Sequence, residues 1–256
     1  MNDAAAQRVR RIVVPYHHAE ALPKLADAFA AGDAVIVSKG PPGAMLVRLY
    51  DQVAARVAAS DGPVIVASGD CTTSLAIVAG LQRRALSPGV IWLDAHGDFH
   101  TPHTTRSGYF GGMALAMLVG RAGAPLAEAI GLRVVAEDAC VLVGARDVDP
   151  AERDALDASA VHRIDDVVSL PDAALPRPPW YVHLDIDVID PEELPPLRFP
   201  APGGPSAIAV AGALRALAAR GTIAALGLAC TLTPNAFEQR DPLAKIAPLI
   251  DAALVR

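Results

Sequence analysis

The sequence predicts an α/β fold: a three-layer α/β/α sandwich around a mainly parallel sheet of about eight strands. Short β-branched runs recur that are apolar on both faces, as strands covered from both sides are. Longer Ala/Leu-rich stretches separate them, and strands alternating with helices build a parallel sheet. Three of the runs end in polar, metal-capable side chains, and the C-terminal edge of an open parallel sheet is where ligands bind.

Taken in order, Ile12–Val14 and Ala34–Ser38 are the first two β-branched runs. Ala44–Ala59 is an amphipathic helix. Val64–Ser68 is an apolar strand, and Gly69 permits a tight turn into a helix over Thr72–Arg84. Val90–Asp94 is the next strand, Gly112–Arg121 the next helix and Cys140–Gly144 the strand after it. Pro150–Ala158 continues the helical alternation. Val161–Ile164 and Trp180–Asp185 are strands. Leu194–Pro205 (LPPLRFPAPGGP) is a rigid surface loop rather than a domain boundary. Ser206–Arg220, the strand Ala224–Ala229 and the helix Pro242–Val255 complete the pattern. No internal repeat is evident, and residues 1–256 read as a single domain.

Composition removes several classes. An apolar fraction of 52% is too high for a disordered chain. No charge-free apolar run of about 18 residues is present, so no membrane partner is expected. The N-terminus, MNDAAAQRVRR, lacks the apolar core of a signal peptide. A net charge of −6 argues against nucleic acid, which needs concentrated Lys and Arg. The three cysteines, Cys71, Cys140 and Cys230, are too scattered for a disulfide framework, so a reducing cytoplasm is expected. The chain ends soon after its last helix, with no tail to reach a neighbour, and a monomer is favoured over a homo-oligomer.

The chemistry concentrates in three segments. In VIVASGDCTTS (Val64–Ser74), Asp70 and Cys71 lie between strand and helix. Capping by Asp70 or Thr72 with a buried Cys71 is the plain alternative. In VIWLDAHGDFHTP (Val90–Pro102), Asp94, His96 and Asp98 alternate, and residues i, i+2 and i+4 of an extended segment share one face. Two carboxylates and an imidazole converging there suit a divalent metal; a polar loop with a capping Asp is the alternative. In WYVHLDIDVIDP (Trp180–Pro191), Asp185 and Asp187 share a face and Asp190 caps a turn before Pro191. Two like charges at the end of a buried strand repel, so one must take a proton unless a cation resolves the conflict; a solvated loop is the alternative. Together Asp94, His96, Asp98, Asp185 and Asp187 suggest a binuclear site, and a carboxylate-rich donor set favours a hard ion such as Mn²⁺. Such a pair lowers the pKa of a shared water toward about 7, which supplies hydroxide at neutral pH.

These residues resemble the ureohydrolases, the family of arginase, agmatinase and formimidoylglutamase. Its three signatures, a GGDHS-type turn, a DAHxD loop and a DxDxxDP strand end, read here as SGDCTTS, DAHGD and DIDVIDP, in the family's order and at its spacing. The likeness runs through Thr101–Gly120 and Gly144–Glu152 and spans about Val64 to Pro234. It implies an arginase-like fold and two Mn²⁺ ions bridged by Asp94 and Asp185. Asp98 would complete one site, with His96 and Asp187 completing the other. It implies that Thr105 and Ser107 read a substrate α-carboxylate and that Asp149 and Glu152 hold its α-amino group, so a small amino-acid substrate is expected. His100 stands where arginases carry an Asn that also reads the carboxylate; His remains a donor. His183 shares a strand face with Asp185 and supports the ligands from behind, as do Asp70 and Asp190; a buried, satisfied His183 is equally compatible.

Three further positions depart from arginase. Cys71 replaces a metal-ligating His, and a thiolate can still ligate. Gly111 replaces a His used for proton transfer, and Thr231 replaces a Glu near the guanidinium. Because a general acid or base contributes about 10²–10⁴-fold, arginine hydrolysis should be impaired. Asp98 remains as a catalytic carboxylate. An arginine guanidinium is always charged and wants a buried carboxylate partner, whereas an N-hydroxyguanidine is much less basic and can be met by Thr231. This pattern resembles family members that cleave Nω-hydroxy-L-arginine to hydroxyurea and L-ornithine in D-cycloserine (antibiotic) biosynthesis, and that reaction is the expectation. The alternatives are another ureohydrolase of the arginase, agmatinase or formimidoylglutamase type, or a non-catalytic metal-binding relative.

Overall fold

The computed structural model describes residues 9–29, 32–123, 125–238, 246 and 249. β1 (Arg10–Val14) leads into a tight hairpin of β2 (Tyr16–His17) and β3 (Glu20–Ala21), followed by α1 (Pro23–Ala28) and the two-residue β4 (Asp33–Ala34). Next come α2 (Pro42–Ala58), β5 (Val64–Ser68), α3 (Thr73–Arg83) and β6 (Gly89–Leu93). A long connection carries a 3₁₀ turn (Gly111–Met113), α4 (Ala114–Leu118) and α5 (Pro125–Ala129). β7 (Cys140–Val143), α6 (Pro150–Asp157), β8 (His162–Ile164), β9 (Trp180–Asp185), α7 (Ala207–Arg220) and β10 (Ile223–Ala229) follow.

Among the described residues, eight strands form one sheet in the order β4-β1-β5-β10-β9-β6-β7-β8. Every pairing in it is parallel. The expected α/β/α sandwich is therefore present. Side chains alternate across the sheet, as a pleat requires. Val64, Val66, Val90 and Trp92 join Leu49, Val53 and Leu75 of α2 and α3 in one core. Ile65, Ala67, Ile91 and Leu93 join Leu25 of α1 and Val210 and Leu214 of α7 in the other. Each fully buried Val, Leu or Ile contributes about 1.5–3 kcal/mol. No helix among the described residues is long and apolar enough to cross a membrane.

Several elements differ from the sequence expectation. Of Ala34–Ser38, only Ala34 lies in β4, and Val35 N adds one further bond to Val13 O at 2.8 Å. Val35 and Val37 are buried but Ile36 is exposed, so this edge run buries alternate side chains before turning into the Pro41–Pro42 start of α2. The helix expected over Gly112–Arg121 is a 3₁₀ turn followed by five α-helical residues. Gly111 and Gly112 are poor helix formers, and Gly120 at φ +80° ends it. The β2–β3 hairpin, α1 and α5 carry too few residues for periodicity to reveal. The helix expected over Pro242–Val255 lies outside the described residues except for Ile246 and Leu249, both buried.

Two contacts in this frame make testable statements. A Cβ on Gly80 would lie 2.6 Å from Val57 Cβ and 2.7 Å from Ala54 O, so α2 and α3 touch through this glycine. Gly80→Ala should lower stability by about 1–3 kcal/mol in urea unfolding, despite alanine's higher helix propensity; a midpoint unchanged or raised would show the helices free to separate. Arg121 pairs with Glu137 and donates to Ala158 O at 2.9 Å, while Glu137 accepts from Ala160 N at 2.9 Å. The hydrogen bond from Arg121 holds the Glu137 carboxyl below its ordinary 4.5. The stabilisation is thus complete above that pH and lost as pH falls through the lower folded value. Arg121→Ala should cost about 1 kcal/mol near neutrality, and the difference from wild type should shrink below pH 4.5; a constant difference would remove the ion pair from the explanation.

Candidate metal centre and its cavity

The register of β6 on β9 pairs Leu93 with Leu184, so Asp94 and Asp185 are the next residues on adjacent parallel strands. Both carboxylates are 1% exposed and lie at the C-terminal edge of the sheet. β10 brings Ala229 beside Asp185 and, on its other side, beside Ser68 of β5. The turns after β5 and β10 therefore deliver Cys71 and Thr231 to the same place. Cys71 Sγ donates to Asp185 Oδ2 at 3.0 Å, and Thr231 Oγ1 donates to Asp185 Oδ1 at 2.9 Å.

Among the described residues, two groups of donor atoms can hold a cation, and Asp94 belongs to both. Cys71, Asp94, His183 and Asp185 form one; Asp94, His96 and Asp187 form the other. Within each group the ligand atoms lie within 4.8 Å of one another. In the second group, His96 Nδ1 is 3.1 Å from Asp187 Oδ2 and 3.4 Å from Asp94 Oδ1. Backbone amides brace the carboxylates: His96 N donates to Asp94 at 2.8 Å, Asp187 N to Asp185 at 3.0 Å and Ala95 N to Asp187 at 3.2 Å. Arg146 fixes the exit from β9 by donating to Asp187 O and Val188 O, both at 3.0 Å.

Asp98 stands beside these groups rather than inside either. Its backbone takes the left-handed region (φ +48°), and its buried Oδ2 has no hydrogen-bond partner. Burial, with the charges of Asp94 and Asp185, pushes its carboxyl well above the carboxylate range. Burial and the charges of Asp187 and Asp94 do the same to Asp185. Asp187 is pushed up to about 6 by burial and by Asp94. Burial opposes the charge of His96, but Asp187 and Asp94 override it and raise the imidazole to about 12. Burial and three neighbouring aspartates also hold the Cys71 thiol protonated. An orphaned carboxylate oxygen and crowded carboxylates that retain protons fit a site built for cations. The oxygen-rich donor set with one or two imidazoles suits a hard divalent ion.

His183 is more central than a supporting role requires. Its Nε2 is buried, unpartnered and 3.8 Å from Asp94 Oδ2. Its ring stacks on Trp92 at 3.7 Å between centroids, and its Nδ1 meets Ser74 Oγ at 3.0 Å. Burial lowers it to about 4, so it is a neutral imidazole with a free nitrogen. Asp70 and Asp190 lie apart from the cluster. Asp70 accepts from His18 N at 2.7 Å and from Thr72 Oγ1, and no side chain caps α3. Asp190 accepts from Glu192 N at 3.0 Å and Gly203 N at 2.9 Å, which makes it the turn cap that its place before Pro191 predicts. Neither carboxylate is engaged by the cluster: Asp190 is occupied by backbone amides of its own loop, and Asp70 by the backbone amide of His18 and the hydroxyls of Thr72 and Tyr50.

A cavity of about 550 Å³ opens above the cluster. His100, Thr105, Ser107, Asp149, Glu152 and Thr231 all line it. His100 Nε2 is 3.2 Å from Asp149 Oδ2, and Asp149 caps α6 by accepting from Glu152 N at 3.1 Å. Glu152 is buried under Gly97, where a Cβ would meet its carboxyl carbon at 2.5 Å, and accepts from Phe99 N at 2.8 Å. Thr105 and Ser107 accept from Gly108 N and Tyr109 N, both at 3.1 Å. The Thr231 proton is engaged by Asp185, which leaves its oxygen as an acceptor. Asp147, Tyr109, Arg198 and Phe199 also line the cavity. Sequence reading passed over these four. Phe199 and Arg198 sit in the Pro-rich loop with no motif to mark them, whereas Tyr109 stands in a chain with only 4% aromatics, beside two glycines.

Comparison with known proteins places this geometry. The family model described as "Arginase family" matches residues 4–240. An N(omega)-hydroxy-L-arginine amidinohydrolase from Streptomyces lavendulae is 31% identical over 205 residues, covering 77% of this chain and 72% of that protein. An arginase from Agrobacterium fabrum is 32% identical over 178 residues, but the match spans only 53% of its length and 61% of this chain. The fold matches crystalline arginase from Bacillus cereus with a TM-score of 0.80 at 21% identity, over 97% of this chain and 98% of that one. The chain belongs to the Arginase family, as a hydrolase of amidino C–N bonds.

Proposed function

We propose that this hydrolase cleaves the hydroxyguanidine of Nω-hydroxy-L-arginine, using water to release L-ornithine and hydroxyurea, with two Mn²⁺ ions as cofactors. The observation that carries the reading is Thr231. It stands where the family resemblance puts an arginase Glu, and its hydroxyl donates to Asp185 at 2.9 Å. A guanidinium reaching this point meets a hydroxyl oxygen, not a free carboxylate, so a weakly basic hydroxyguanidine is the better fit. The Streptomyces relative bears the name of that activity.

In this reading Cys71, Asp94, His96, Asp98, Asp185 and Asp187 would hold the ions. Bound there, a metal pair would supply Lewis acidity and lower the pKa of a bound water. Asp98 has a free, buried Oδ2 that can receive a proton and pass it to the departing ornithine nitrogen. Asp149 and Glu152 hold the substrate's α-amino group, while Thr105, Ser107 and His100 read its α-carboxylate. Around 3.2 Å separates His100 from Asp149, so the two ends of that recognition are linked. We place this single-domain enzyme in the cytoplasm, in D-cycloserine biosynthesis.

Product analysis of Mn²⁺-loaded protein tests the substrate. Hydroxyurea release from Nω-hydroxy-L-arginine should exceed urea release from L-arginine by at least about 100-fold, the contribution of a missing acid or base; equal rates would sink the specificity. Both rates should vanish with a chelator and return with Mn²⁺. A second measurement addresses Cys71. Cys71→Ala should weaken Mn²⁺ binding by about 10–100-fold or more in equilibrium dialysis, whereas unchanged occupancy would return Cys71 to the hydrophobic core.

A further inference from the structure

His183 lies in β9 between Trp92 of β6, its register partner on one side, and Gly227 of β10 on the other. The Trp92 ring stacks on the imidazole, 3.7 Å between centroids, and Trp92 Nε1 donates to Asp94 Oδ2 at 3.2 Å. Gly227 offers no side chain, and the space is used: a Cβ there would lie 2.3 Å from the Tyr181 hydroxyl. Tyr181 OH donates to Ser74 Oγ at 2.7 Å, and Ser74 Oγ lies 3.0 Å from His183 Nδ1. Trp92, Tyr181, Ser74 and His183 are all buried. One face of the imidazole and one of its nitrogens are therefore fixed, by a neighbour on β6 and a neighbour on α3.

The other nitrogen, Nε2, is buried and has no partner. Such a nitrogen costs free energy, and native interiors seldom leave one so. Asp94 does not supply the bond, because its Oδ2 stands 3.8 Å away, past hydrogen-bond reach. What surrounds Nε2 is a set of metal-capable atoms. The ligand atoms of Cys71, Asp94, His183 and Asp185 all lie within 4.8 Å of one another. Two of these four residues are buried carboxylates, so a cation among them relieves their repulsion, whereas a water bridging Nε2 to Asp94 would not. Ser74 Oγ has two lone pairs, enough for the Tyr181 proton and the Nδ1 proton together. That arrangement leaves Nε2 bare, the form in which an imidazole ligates. Metal-bound histidines donate from their other nitrogen to a fixed acceptor of this kind.

We propose that His183 is a metal ligand: its Nε2 completes the group of Cys71, Asp94 and Asp185, with Ser74 and Tyr181 fixing the ring from behind. This rests on the metal-dependent reading above and adds a residue to those assigned there. It gives each of the two groups one imidazole, His183 in the first and His96 in the second. It also offsets Cys71. That position supplies sulfur and no nitrogen, and β9 supplies the imidazole instead.

Two measurements test it. Wild-type protein with ¹⁵N-labelled histidines is titrated with up to two equivalents of Zn²⁺, a diamagnetic probe of imidazole ligation. Of its seven histidines, two should take on metal-bound ¹⁵N shifts. A single shifted imidazole with two Zn²⁺ bound would overturn the proposal. No bound Zn²⁺ or Mn²⁺ at all would overturn the metal-dependent reading, and this proposal with it. Secondly, His183→Leu should weaken one of the two Mn²⁺ sites by at least about 10-fold in equilibrium dialysis. Its Tm without added metal should hold or rise, because leucine leaves no unpartnered nitrogen and Ser74 keeps its bond from Tyr181. A histidine kept only for packing predicts the reverse, a lower Tm with unchanged Mn²⁺ affinity, and that result would overturn the proposal. If His183→Leu does not fold, the wild-type ¹⁵N count still decides.

Discussion

Asp94 and Asp185 end adjacent parallel strands one residue past a Leu93–Leu184 pairing, and both are buried. Two like charges so close, and so poorly solvated, cannot both be ionised without compensation. Their surroundings supply it in three ways. Backbone amides of His96 and Asp187 donate to them, hydroxyl and thiol protons from Thr231 and Cys71 point at Asp185, and imidazoles from His96 and His183 flank Asp94. The remaining deficit of positive charge is what a divalent cation satisfies. The shape of the site follows from this one electrostatic conflict.

The sheet order explains why four separate turns meet there. β5, β10, β9 and β6 are neighbours in the sheet but come from widely separated parts of the chain. Their C-terminal ends carry Cys71, Thr231, the Asp185/Asp187 pair and the Asp94/His96/Asp98 series. Parallel strands place all four exits on one edge, which an antiparallel sheet would divide between two. Helices on both faces then seal the strands from water, so the charges at their ends sit at the boundary of a low-dielectric core.

The outer part of the cavity is built differently. Its walls are loops: the β2–β3 hairpin with His17 and His18, the Thr105–Tyr109 stretch and the Arg198–Phe199 segment. Arg198 ties two of them together by donating to Glu20 Oε2 and Leu232 O, both at 3.1 Å. The metal-capable floor stands on strand ends and is positioned by the sheet. The substrate-facing rim stands on loops positioned by one another.

Much of this was legible from the residues alone. Apolar runs such as Val64–Ser68 and Trp180–Asp185 are local signals of buried strands, and the alternation in DAHGD and DIDVIDP places carboxylates on one face without reference to the rest of the chain. Periodicity is a short-range property, so strands, long helices and the ligands at strand ends can be read from it. It could not reveal that Asp70 braces the β2–β3 turn through His18 N, that His183 holds a free nitrogen beside Asp94, or that Thr231 gives its proton to Asp185. It was equally silent on Tyr109, whose position is set by rings from residues 17–18 and 199. Those contacts join segments separated by 46 to 92 residues. Their existence is a consequence of which strands the sheet makes neighbours, and no local pattern carries that information.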